Sequence, residues 1–84
     1  MKYIIYSDPN SFGMQTPIIF PDWVKHKDAA EGKEEVISGG FVDIFYDEEK
    51  ERISCRCHGE ATSLGVRCEK DDNTIISCAL RLEQ

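Results

Sequence analysis

The chain of 84 residues carries 16 acidic and 10 basic side chains, a net charge of −6, with 40% hydrophobic and 31% charged residues. Residues 1–84 make one domain with a small core, and the apolar content excludes disorder. Lys25, Lys27 and Lys33 are interleaved with Asp28, Glu31, Glu34 and Glu35, so the basic footprint of nucleic-acid binding is missing. No stretch approaches the ~18–20 apolar residues of a membrane span.

Tyr3, Ile4, Ile5 and Tyr6 form an unbroken run of β-formers, and a strand is expected over 2–6. Ser7-Asp8-Pro9-Asn10-Ser11 is dense in turn formers, and Gly13 closes the loop. The return strand runs from Met14 to Phe20. Pro17 lacks a donor, which puts that strand on an edge or keeps it short. A helix is expected from Asp22, its cap, to about Glu31, with Gly32 ending it and Trp23 as a core anchor.

Glu35 to Tyr46 is the longest strand candidate, with Gly39-Gly40 marking a bulge or a close backbone approach. Val42, Ile44 and Tyr46 lie on one face, and Phe41, Asp43 and Phe45 on the other. After the polar turn Asp47-Glu48-Glu49-Lys50, Glu51 to His58 returns with Ile53, Cys55 and Cys57 on a common face. Residues 59–67 read as a loop or irregular strand. The closing helix starts near Asp71 or Asp72, either of which can cap it, and runs to about Glu83, with Ile75, Ile76, Ala79, Leu80 and Leu82 at helical spacing. The expected fold is α+β: a small, mostly antiparallel sheet of about four strands with two helices, in the order ββαββα.

Chemistry is sparse. Cys55 and Cys57 are separated by one residue, and Cys68 and Cys78 are isolated, so the paired spacing of a zinc site is absent. Met1 to Tyr6 meets Ser7-Asp8-Pro9 too early for a signal-peptide core, which points to the cytosol and to reduced thiols. Cys57 and His58 are strand neighbours aimed at opposite faces and cannot act as a catalytic pair. On a helix, His26 and Asp28 do not face each other, and His26 reads as a partly exposed helix histidine. No cofactor, metal or catalytic residue is expected. Phe41 and Phe45 are the notable feature, because a domain this small has little material to cover both faces of one strand.

The ordered series Pro17-Ile18-Ile19-Phe20-Pro21, His26-Lys27-Asp28-Ala29-Ala30, Ser38-Gly39-Gly40-Phe41, Gly59 to Gly65 and Asp71 to Ile76 resembles a group of small uncharacterised proteins of bacteriophages and prophages. The resemblance covers most of the chain. It implies an accessory protein in the cytoplasm of a bacterial host, and it brings no reaction or ligand. The positions of that pattern outside plain core patterning are His26, Asp28, Ser63 and Gly65. With Phe41 and Phe45 they form the expected binding residues of an interaction module, engaging a protein partner or a second copy. An inhibitor of a host factor or defence system fits this setting. The alternatives are a small-molecule or metal-binding protein using His26, His58, Ser63 or the Cys55/Cys57 pair, and a minor virion component.

Overall fold

The run Tyr3-Ile4-Ile5 is solvent-free on both faces, and the sheet is built around it. A computed structural model describes residues 1–33 and 35–82. Its strands are β1 (Lys2–Asp8), β2 (Met14–Phe20), β3 (Glu35–Asp47) and β4 (Arg52–His58), ordered β2-β1-β3-β4 and antiparallel throughout. β2 is an edge strand, as Pro17 requires. Helix α2 (Asp72–Leu82) lies on one face. Tyr3, Ile5, Val42, Cys55 and Ile76 close the core there, with Ile19, Cys57, Ile75 and Leu80 packed around them. The expected end of this helix at Glu83 lies outside the described residues.

Two elements depart from the expected order. β5 (Glu60–Ala61) and β6 (Val66–Arg67) form a separate small hairpin across the 3₁₀ turn Thr62–Leu64, where a loop or one irregular strand was expected. Gly40 and Gly59 make room for it. A Cβ on Gly40 would stand 2.6 Å from the His58 carbonyl oxygen, and Gly59 has φ +76 with a Cβ position 2.9 Å from Phe41 Cδ2. The Gly39-Gly40 pair therefore serves a close approach. The bulge falls at Ile37 instead, skipped where the register steps from Ile5–Ser38 to Tyr6–Val36.

The first helix is much shorter than expected. α1 spans only His26–Ala29, with Lys25 extended before it and Asp22 outside it. Asp22 pairs instead with the Met1 ammonium at 3.3 Å, and Lys2 Nζ donates to the Val24 carbonyl at 3.1 Å. Those contacts hold 22–24 as a turn, and a helix this short gains too few hydrogen bonds to extend itself. Trp23 is consequently no core anchor: it is 85% exposed. Among the described residues no helix is long and apolar enough to cross a membrane.

Candidate interaction surface

The expected binding residues divide into an enclosed group and an open one. His26 is buried, and because a carbonyl only accepts, its Nε2–H donates to the Gly40 oxygen at 2.8 Å. Its ring sits edge-on between Phe20 at 5.5 Å and Phe41 at 5.7 Å. Phe41 in turn stacks on His58 at 5.9 Å, whose Nε2 lies 3.4 Å from Asp43 Oδ2. The Asp43–His58 pair is exposed and contributes little to stability. His26 thus clamps α1 to β3, and Phe41 is half-buried by its own chain. Asp28 is exposed on α1, which packs against the 3₁₀ turn carrying exposed Ser63. Gly65 ends that turn with φ +69 and borders a shallow depression shared with Ile37, Glu60 and Arg67.

Replacing His26 by alanine should cost about 2–4 kcal/mol, because it strands a buried carbonyl and leaves a cavity between two phenyl rings. Urea unfolding measures this, and His26→Gln, which keeps a donor, should recover part of the loss. A cost below about 0.5 kcal/mol would remove the clamp role.

Beneath α2 lies a polar network that the local sequence does not announce. Asp72, expected only as a helix cap, is 2% exposed. Its carboxylate accepts from the Tyr3 hydroxyl, from Ser38 Oγ at 2.9 Å and from the Glu69 N–H at 3.0 Å. Tyr3 and Ser38 are as buried as the carboxylate, so a substrate has no access to the trio. It ties the start of α2 to β1 and β3. Burial, followed by the Asp72 hydrogen bond, raises the Tyr3 hydroxyl well above the ordinary tyrosine range. Burial, with Cys55, Cys68 and Asp72 nearby, pushes the Cys57 thiol up to about 12. A thiol held neutral in this way is a poor nucleophile. All four cysteines are free: Cys55 is buried against Ser77 Oγ at 3.2 Å, while Cys78 is exposed. Among the described residues no three His, Cys, Asp or Glu side chains converge on a metal position.

The open group lies at the far end of β3. Phe45 is 43% exposed beside Asp43 and Arg56, and it is flanked in sequence by Ile44 at 39% and Tyr46 at 61%. Met1 and Trp23 belong to the same end, because Met1 pairs with Val42 through its backbone and with Asp22 through its ammonium. Among the described residues, five of the seven large hydrophobic side chains that are exposed therefore lie toward that end, with Phe12 and Met14 at the opposite end of the sheet. No family model matches this chain, and neither a curated protein nor a solved structure matches it. The surface must be read from its own chemistry. Sequence reasoning selected Phe45, and the alternation that set Val42, Ile44 and Tyr46 on one face gave no sign that Val42 alone of the three is buried. The signal available was length: β3 outruns the seven-residue β1.

Proposed function

We propose that the chain is a protein-interaction module of the bacterial cytoplasm, an accessory protein of phage or prophage type. It engages a protein partner through the end of the sheet where β3 and β4 project. The observation that carries this reading is the gathering of Met1, Trp23, Ile44, Phe45 and Tyr46 at one end of the domain. Exposed apolar side chains concentrated at one end of a small domain mark an interaction site, and aromatic side chains dominate such contacts. The acidic balance of the chain suits a basic partner, and an inhibitor of a host factor would work in this way.

The test compares wild-type protein with Phe45→Ser/Tyr46→Ser, both cross-linked in a bacterial lysate and mapped by mass spectrometry. Tyr46 is mostly exposed and Phe45 a little under half exposed, so the double variant should lose no more than about 2 kcal/mol and stay folded. The expected result is a partner cross-linked near residues 43–47 that the variant loses. Equal recovery by both proteins would overturn the assignment of this end as the contact.

A further inference from the structure

This chain of net charge −6 has ten basic side chains, and three of them share one depression. Lys50 comes from the β3–β4 turn, Arg52 from the start of β4 and Arg81 from the last turn of α2. The depression, open and about 390 Å³ in volume, lies between α2 and β4, an edge strand of the sheet. Among the described residues no acidic side chain lines it, although Glu48, Glu49 and Glu51 belong to the same turn. Asp47 stands opposite Arg52 in the register, but its Oδ1 accepts from the Glu49 and Lys50 N–H groups at 3.1 and 3.3 Å. None of the three cations forms an ion pair among the described residues. Like charges held together repel one another, and a bound anion relieves that repulsion.

The walls between the cations supply neutral donors. Thr74, Ser77 and Arg81 share one face of α2 at helical spacing, and Ser54 faces them from β4. The hydroxyls of Ser54 and Thr74 have no hydrogen-bond partner among the described residues. The backbone adds another donor. The Cys57 N–H leaves the sheet edge to reach Asn73 Oδ1 at 2.6 Å, and strand periodicity sends the Cys55 N–H off that same edge, where Cys55 borders the depression.

This inventory selects the ligand. Three cations suit a multiply charged anion, and two guanidinium forks suit paired phosphate oxygens. Thr74 and Arg81 lie about 10 Å apart along the helix, so the donors form a row and not a cup for one tetrahedral ion. The volume is near the lower end of small-ligand sites. No aromatic ring lines it, so no group there stacks on a base. We infer that the depression between β4 and α2 binds the phosphate chain of a small oligophosphate, free or carried by a nucleotide. Lys50, Arg52 and Arg81 meet its charges, and Ser54, Thr74 and the Cys55 N–H donate between them. The inference stands apart from the interaction role proposed above, and its failure leaves that role intact.

The probe is sodium tripolyphosphate, titrated calorimetrically in about 50 mM NaCl beside ATP, orthophosphate and citrate. Tripolyphosphate should bind, with orthophosphate and citrate at least about tenfold weaker. ATP equal to tripolyphosphate would identify the phosphate chain alone as the ligand, and tighter ATP would identify a nucleotide as its source. Arg52→Gln/Arg81→Gln should weaken tripolyphosphate by about tenfold or more, and both side chains are exposed, so the fold is kept. Lys25→Gln/Lys27→Gln removes the same net charge around α1, which packs on β1 and the 3₁₀ turn Thr62–Leu64, and should change the affinity less than about twofold. In ¹H–¹⁵N spectra of the wild-type protein the ligand should move the amides of Ser54, Cys55 and Thr74, a readout that misfolding of a variant cannot imitate. Absence of tripolyphosphate binding would overturn the inference, even if ATP bound. So would equal losses in the two double variants, citrate binding as well as tripolyphosphate, or spectral changes confined to other parts of the chain.

Discussion

Asp72→Ala should lower the unfolding free energy by about 3–5 kcal/mol, the largest single-residue effect expected in this protein. Three donors converge on this carboxylate, and two of them, Tyr3 and Ser38, have no solvent to turn to. Each buried donor left without a partner costs about 1–3 kcal/mol. A domain of this length holds little in reserve, so the variant sits close to the unfolding threshold. Tyr3→Phe removes one donor and should cost about 1.5–3 kcal/mol, because the lost bond is to a charged acceptor. The double variant separates the network from generic core damage. Groups in one network are non-additive, and the combined loss should fall short of the sum by at least about 0.5 kcal/mol. Urea unfolding of the four proteins is sufficient. Strict additivity, or a loss under about 1 kcal/mol for Asp72→Ala, would mean that α2 is held by its apolar face alone.

The second large effect is alkaline unfolding. The fold keeps the Cys57 thiol neutral up to about 12, against an ordinary value of 9.0, and raises the Tyr3 hydroxyl above its ordinary 10.0. Burial is the leading cause in both. With native values raised, the unfolded chain releases these protons first, so the native state binds more protons and stability falls as pH rises. Below pH 9 both groups are neutral in both states, and they add no pH dependence there. Above it Cys57 contributes a loss of about 1.4 kcal/mol per pH unit, and Tyr3 adds a similar slope above its ordinary value of 10.0. Cys57→Ala should delay the onset by about one unit and leave the Tyr3 limb. Denaturant unfolding in half-unit steps from pH 7 to 11, under reducing conditions, tests this. A flat profile to pH 11 would overturn it, as would an unchanged onset in Cys57→Ala.

These effects originate in residues that looked ordinary along the chain. Asp72 read as a helix cap because its neighbours in sequence, an acidic pair before an apolar helix, are those of a cap. Its partners are Tyr3 and Ser38, 69 and 34 residues away, and only the β1–β3 register brings them together. The α1 segment failed for a related reason. Asp22 and the apolar spacing after it are locally consistent with a helix, but the ammonium of Met1 takes the carboxylate for another contact. His26 read as a partly exposed helix residue, and the shortened helix turns it inward onto Gly40.

What the chain determines by itself is the position of its strands and of α2, because alternation, β-branching and helical spacing are properties of neighbouring residues. Its acidity and the absence of paired metal-ligand spacing are equally local. Tertiary structure alone decided where the core stops. Val42 and Ile44 share one face and one pattern, yet the first is 1% exposed and the second 39%. The difference is that Met1 pairs beside Val42, whereas among the described residues 43–47 of β3 pair with β4 alone. Strand lengths and register are set by long-range pairing, and the candidate surface lies where that pairing runs out.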